Sequence, residues 1–540
     1  MNRRNFLLAT GTMTAAGMGL YFGTRDNNNA FTGNIVGASH DLGHRLRMGS
    51  MPSPLEERKV PVVIVGGGVS GLCAAWKLAK AGFRDFEILE LEPECGGNSR
   101  YGENSITRYP WGAHYVPLPT QESHAVRELF TDLGVLEGYG ENGEPHYKEE
   151  YLCHSPQERL YIHGRWQEGV LPTVAITSRD LEQYKQFRDL INDYKQRRGS
   201  DSRKAFAIPM ELSSKDREFV ELDNLSMREF LLSKGLDSVP LHWYANYACR
   251  DDYGTDYREV SAWAGLHYFA SRDAVEASDE NSVLTWPEGN GWIVRNLLKR
   301  LDRHTKTSCL VYRVHPLATS AVVEYFDARS SRSVRVIAEH VVLACPHTFN
   351  RFLLRDISYP SFEAFQYAPW MVANLSLRGF PIERVGVPLA WDNVIYDSSS
   401  LGYVVATHQS LRTYLAETVL TYYYPLTASS AKSDRQRLLT IEWSEWADII
   451  VNDLSKPHPE ISKLITRLDV FRWGHAMVRP TPGFLFGHDR QKAAQSLGMI
   501  HFAHSDLSGF SIFEEAQYRG ILAAEKILNA LQIPFSSSLL

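Results

Sequence analysis

The sequence predicts an α/β protein of two interleaved domains, one built on a parallel sheet and one, of mixed sheet and helices, inserted into it. Three observations carry this expectation. A glycine triplet stands between a β-branched run and a run of helical spacing near residue 66. Strand patterns resume near residue 309 after a long mixed stretch. And 540 residues, 44% of them hydrophobic, exceed what a single core usually supports.

In chain order, Arg3-Arg4-Asn5-Phe6-Leu7-Leu8 opens a mildly apolar run that reaches about Phe22, with Thr14-Ala15-Ala16 near the form of a cleavage site. This is the pattern of a twin-arginine export signal. Residues 1–30 are therefore expected to be a Tat signal peptide or anchor, placing the chain in the periplasm or tethering it to the periplasmic side of a membrane through its N-terminus. Residues 31–59 are rich in Asn, Gly, Ser, His and charge, carry Pro52 and Pro54, and are expected to be a linker. Val60–Val65 follows as a strand, Leu72–Ala81 as a helix ending at Gly82, and Phe86–Leu91 as a second strand. The stretch from Gln121 to Asp279 mixes helical, aromatic and charged segments, with a polar helix over Glu182–Lys204. Strands are expected at Cys309–His315, Ala321–Phe326 and Val334–Cys345, and a last helix at Glu514–Leu531.

The charge balance excludes one class of partner. With 57 basic and 63 acidic residues and a net charge of -6, no block of one sign points to nucleic acid. Cys73, Cys95, Cys153, Cys249, Cys309 and Cys345 stand singly, without CxxC pairs or Cys/His clusters, so neither a metal site nor a disulfide framework is expected. Beyond the first residues no run of about 18 apolar residues is long enough to span a bilayer.

The glycine triplet is the most informative motif. In Val62-Val-Ile-Val-Gly66-Gly67-Gly68-Val-Ser70-Gly71, Gly66 permits a tight turn, Gly68 lets a pyrophosphate approach the backbone, and Gly71 lets the helix pack close to the sheet. Ser70 lies in the first turn of that helix, whose N-terminus attracts phosphate. Glu90 ends the second strand at about the 20-residue spacing of an acid that accepts ribose hydroxyls, with Glu92 as its rival. Up to this point the dinucleotide is either NAD or FAD.

The stretch Glu90-Leu-Glu-Pro-Glu-Cys-Gly96-Gly97-Asn98 is similar to the segment that wraps the flavin side of the cofactor in the flavin amine-oxidase superfamily, which includes phytoene desaturases. The family's usual Arg is Asn98 here, with Arg100 close by. Three more segments resemble the family in order: Trp286-Pro-Glu-Gly289-Asn-Gly291-Trp292; Val311–Val314 with Val341–Pro346; and Ile500–Gly509 followed by Glu515-Ala516 and Gly520. The resemblance implies FAD as cofactor, a backbone contact to adenine at Val311, an acid at Asp506 toward the ribityl and pyrophosphate, and a helix N-terminus at Phe513 facing the ring. It also implies a Rossmann-like FAD-binding domain made of residues 60–125, 280–350 and 465–540, and a substrate domain made of 126–279 and 351–464.

The reacting side departs from the family. No Lys stands on the strand around Tyr367–Leu375, and the paired aromatic positions fall on Ala476 or Met477 and on Ile512 or Phe513. Trp370, Trp473 and Ile512 are the expected pocket wall, and His475 the candidate proton-transfer residue. Asp251, Asp252, Asp256 and Glu259, among aromatics such as Trp243, Tyr247 and Trp263, suit a cationic amine or a solvated loop on an aromatic core; Trp391-Asp392-Asn393 and Tyr422–Tyr424 suit a pocket or the core of the substrate sheet. The expected function is FAD-linked removal of hydride from a small substrate, first an amine or polyamine, with an electron acceptor the sequence does not specify. The rivals are an isoprenoid or carotenoid desaturase or isomerase, which a long apolar tunnel would favour, and a non-catalytic FAD-binding partner protein.

Overall fold

A computed structural model describes residues 31–49, 51–272, 283–357 and 362–539. The twin-arginine run and Thr14-Ala15-Ala16 lie outside the described residues. Val62–Val65 has all four side chains buried, which explains its unbroken apolar sequence: a strand covered on both faces has no solvent side to mark with polar residues. It pairs in parallel with Phe86–Leu89 on one side and His340–Leu343 on the other, and Thr305–Lys306 and Ile500–Phe502 complete a five-stranded parallel sheet. Strands that are neighbours in space thus come from distant parts of the chain.

The helices Val69–Lys80 and Phe513–Ala530 pack on each other against this sheet. Their approach is close because of two glycines: a Cβ on Gly71 would lie 1.9 Å from the carbonyl oxygen of Gly66, and one on Gly520 would lie 2.2 Å from that of Ser70. A buried Lys77–Glu525 pair at 3.1 Å links the two helices.

The second body is an eight-stranded mixed sheet whose longest members, Tyr367–Leu377 and Ile465–Val478, run antiparallel. Helices Ser178–Gln196, Val239–Tyr253 and Ala262–Ala270 pack together beside it. The strand Ile465–Val478 brings this body to the parallel sheet, tied by the Val478 amide donating to Ser511 Oγ at 2.9 Å, just before the Phe513–Ala530 helix begins. Among the described residues no helix is long and apolar enough to cross a membrane.

Three expectations are corrected. Val334–Cys345 is two strands in two sheets: Arg332–Ala338 joins a four-stranded sheet with Ala321–Asp327, while His340–Leu343 enters the parallel sheet. Both halves are apolar and β-branched, so periodicity shows no break at Glu339. Residues 31–59 are not a plain linker: Ile35–Val36 pairs with Val470–Phe471, and Glu56–Lys59 pairs in parallel with Arg332–Ala338. Edge strands take their pairing from backbone groups, so a Glu-Glu-Arg-Lys sequence can occupy one. The polar helix ends at Gln196 rather than Lys204; it begins one residue after Thr177, whose side chain forms a capping box with Asp180, and Arg197 is already extended.

Candidate functional site

The glycine turn opens onto a cavity of about 530 Å³. Gly66, at φ +107°, holds a left-handed conformation that a side chain rarely adopts, and so turns the chain from strand to helix. The second loop is fastened to it: the Gly96 amide donates to the Gly67 carbonyl at 2.8 Å, and Gly97 faces Gly68 with room for a Cβ only 3.3 Å from the Gly68 Cα. Glu90 fixes the same turn from below, accepting from the Gly67 amide at 2.6 Å and from the Glu92 amide at 2.8 Å. Burial raises the Glu90 carboxyl above its ordinary range, against the pull of those two amides. Gly66, Gly68, Ser70, Glu90, Gly96, Gly97, Asn98, Val311 and Phe513 all line this cavity. The hydroxyl of Ser70 is buried there without a hydrogen-bond partner.

Asp506 sits differently from expectation. It is fully buried behind the wall, accepting from the His347 amide at 2.6 Å and the Tyr367 hydroxyl at 2.5 Å, while His504 and Ser505 reach the cavity. Burial pushes its carboxyl up, and His504, His347 and Tyr367 together hold it below the ordinary value. His504 Nδ1 lies 3.1 Å from Asp506 Oδ1 and accepts the Asp506 amide at 3.3 Å. Asn98 gives its side-chain amide to the Ala476 carbonyl at 2.5 Å. Arg100 turns away to Glu92 at 3.2 Å and does not occupy the Asn98 position.

A second cavity, about 140 Å³, adjoins the first, and the two share Asn98, Ala113, Asn290, Trp473, Ser511, Ile512 and Phe513 as wall. Trp370, Trp473 and Ile512 meet here, as do Ala476 and Met477. His475 lines only the first cavity, between the ring edges of Phe349 and Tyr367 at 5.3 and 5.5 Å. Burial, with Arg435, Arg47 and Arg351, lowers its imidazole to about 3, so it is neutral across physiological pH.

Four carboxyl groups, Asp251, Asp252, Asp392 and Glu514, line the second cavity against one guanidinium, Arg272. Arg272 is committed to Asp252, at 2.8 and 3.0 Å, and lies over the Tyr268 ring. The other three are therefore uncompensated. Burial, then Asp252, raises Asp251 to about 7; burial, then Asp251 and Glu158, raises Asp392 well above its usual range; burial raises Glu514 to about 7. Glu514 is 2% exposed, and its Oε2 has no hydrogen-bond partner. Around the acids stand Tyr115, Tyr247, Tyr423 and Trp370, and His114 stacks on Tyr423 at 4.6 Å, kept neutral by burial, which lowers it to about 4.

Sequence reasoning named Asp251 only in a stretch that also suited a solvated loop and Asp392 only in one that also suited core, and missed Glu514, Arg272 and His114. Glu514 precedes the Glu515 of the last motif, so its place at the helix start was the available signal. Of the remaining acids, Asp256 pairs with Arg258 and Glu259 with Arg479, outside both cavities. Trp263 is core, stacked on His267 and Phe510.

Comparison with known proteins agrees with this architecture. Residues 64–133 match a family described as an NAD(P)-binding Rossmann-like domain. Monomeric sarcosine oxidase from Bacillus sp. (strain B-0618) is 30% identical over 111 residues, 19% of this chain and 28% of that protein. The chain thus spans less than a third of the length of that relative. Among solved structures, a putrescine oxidase double mutant superimposes with a TM-score of 0.66 at 16% identity, over 88% of this chain and 100% of that one. A fatty acid isomerase from P. acnes follows with a TM-score of 0.60 at 15% identity, over 86% and 98%. The chain is a mixed α/β protein with a Rossmann-like dinucleotide-binding domain, and shares the fold of the putrescine oxidase over most of its length.

Proposed function

We propose that this chain is an FAD-dependent oxidoreductase whose substrate is an amine or polyamine. The observation that carries the reading is the second cavity, with three uncompensated carboxyl groups and an aromatic wall, sharing a boundary with the cavity of the glycine turn. A protonated amine is the ligand that relieves such a wall, and aromatic faces add to its binding. A long apolar tunnel would favour the isoprenoid reading, and an acidic, aromatic cavity such as this one favours the amine.

The residues at the glycine turn fit FAD. The Gly68–Gly97 gap is one a side chain would fill, Ser70 Oγ has a free hydroxyl, and Glu90 keeps lone pairs for ribose hydroxyls beside its two amide bonds. Bound there, FAD would supply the two-electron acceptor for the C–H bond next to the amine nitrogen. The chain's own part is to bind, desolvate and deprotonate. Asp251 and Asp392 hold the ammonium, Trp370 and Trp473 close the wall, and Glu514 Oε2 takes up or releases a proton.

The test is anaerobic mixing of FAD-loaded protein with a panel of monoamines and polyamines. Loss of the oxidised flavin absorption with a polyamine is the expected result, and a chain that retains no flavin after FAD is added would sink the reading. Amine affinity should rise with pH through about 7, since Asp251 and Glu514 attract a cation only once ionised. Binding titrations at a series of pH values measure this; affinity that falls across that range contradicts it.

Glu90→Ala bears on the cofactor end. It strips the buried Gly67 amide and the Glu92 amide of their acceptor, a cost of about 2 kcal/mol or more in stability. Loss of the ribose contact should weaken FAD binding about tenfold or more. Thermal unfolding and FAD titration read the two effects separately.

A further inference from the structure

The larger cavity has a second, basic side. Arg47, Arg351, Arg435 and Arg472 line it together with His44 and His475. The four arginines come from four places in the chain: the turn Arg45–Arg47, the helices His347–Leu353 and Ala431–Thr440, and the strand Ile465–Val478. Arg435 lies along the strand at Gly474, where an added Cβ would come 3.1 Å from its Nε, and that Nε is buried with no hydrogen-bond partner. Arg472 gives one donor to the Leu439 carbonyl at 2.9 Å. Among the described residues no ion pair joins Arg47, Arg351 or Arg435 to a carboxylate. Asp41, the acid that acts on His44, is 96% exposed and lies 3.3 Å from His40.

Gathering four guanidinium groups around one cavity, with Arg47 and Arg351 both acting on Arg435, is unfavourable unless an anion joins them, and in a chain of net charge -6 it does not follow from overall composition. The neutrality of His475 is one symptom of that field. Guanidinium forks match phosphate and carboxylate oxygens in pairs, so the wall has the chemistry of an oxyanion site. The dinucleotide's own phosphates belong at the start of the Val69–Lys80 helix, and none of the four arginines lies on that helix or on the turn before it.

We propose that this arginine wall binds a second anionic ligand, a small multivalent oxyanion bearing phosphate or carboxylate groups, beside the dinucleotide. The word second rests on the reading of the glycine turn as the FAD site. In the smaller cavity the acids face a cation, and the arginine side of the larger one faces an anion, so the two ligands approach one cofactor site by differently charged routes.

The experiment is calorimetric titration of the full chain, loaded with FAD, with inorganic pyrophosphate at low and high salt, beside Arg435→Gln and Arg351→Gln. Flavin content is read from absorbance in each case. Expected is saturable binding at one site, weakened about tenfold or more in each variant and reduced by salt, with flavin content unchanged. Arg351 is exposed, so its variant reports binding even where the Arg435 variant folds poorly. Absence of saturable binding to the loaded chain overturns the proposal. So does flavin loss from the variants in step with pyrophosphate affinity, which would assign the arginines to the cofactor's own phosphates. If the chain takes up no FAD, the proposed function fails, while pyrophosphate titration of the unloaded chain still decides whether the arginines bind an anion.

Discussion

Asp251→Asn combined with Asp392→Asn is expected to cut kcat/KM for a diamine by about a hundredfold or more while making the protein more stable. Each charge-assisted contact to an ammonium contributes about 1.5 to 3 kcal/mol, and the double change removes two. The gain in stability comes from the same residues. Burial and Asp252 raise Asp251 from 3.8 to about 7, and burial with Asp251 and Glu158 holds Asp392 high, so ionising them in the folded chain is costly. A group whose pKa is raised on folding favours the native state below its unfolded value and loses that advantage as pH rises through the folded value. The variant's advantage should therefore be absent below 3.8, grow as pH rises, and level off above about 7 at about 4 kcal/mol. Steady-state kinetics on a diamine and a monoamine, with thermal unfolding across pH, measure both effects. An unchanged KM for the diamine would remove Asp251 and Asp392 from substrate recognition. The opposition of function and stability is what a binding site for charge implies: groups poised for a cation are poorly solvated without one.

How far the sequence shows this site depends on how local its parts are. The turn from Gly66 to Gly71 lies in one short stretch, where each glycine answers a local steric demand, so strand, turn and helix can be read directly. The acid cavity is assembled across the chain. Asp251 and Asp252 come from the Val239–Tyr253 helix, Asp392 from a strand in the eight-stranded sheet, Glu514 from the last helix, and Tyr115 from a short strand near the first. No spacing links them, and each alone resembles a surface acid beside core aromatics. Trp370, Trp473 and Ile512, named together only because resemblance to a family supplied long-range information, line one cavity. His475 was named with Trp473 as a residue of the pocket, but the strand that carries both, and the side each takes, were not readable: Ile465–Val478 borders both cavities, and His475 lines only the larger.

The shared wall decides how the two cavities can act together. Asn98 holds the glycine loop to the Ala476 carbonyl, and Trp473 is fixed by its Nε1 donating to the Trp111 carbonyl at 2.6 Å. Ser511 secures the strand that carries Trp473 to the start of the last helix, which carries Glu514. A substrate in the acid cavity therefore contacts a boundary whose positions are set by the same loops that form the dinucleotide cradle. Rigid support of this kind is what a hydride transfer requires, since the rate depends on sub-ångström placement of the donor carbon.

Gly71→Ala tests the cradle itself, and its expected effect is loss of bound cofactor with a fall in stability of about 3 kcal/mol or more. The added Cβ would lie 1.9 Å from the Gly66 carbonyl oxygen and 3.3 Å from Ile64, so it can be accommodated only by lifting the first turn of the Val69–Lys80 helix. That helix has nowhere to go, because Gly520 already brings the last helix against the Ser70 carbonyl. Any shift also moves the amide groups that face the phosphates. Gly82→Ala is the matched control: at φ +85° with nothing within 4 Å, it should cost only left-handed strain, about 1 to 2 kcal/mol, and leave the cavity intact. Flavin retained per chain after gel filtration, together with the two thermal midpoints, separates the cases. A Gly71→Ala chain that keeps its flavin and unfolds with the Gly82→Ala chain would show that the helix can retreat, and that the close approach of helix to strand is not what forms the phosphate site.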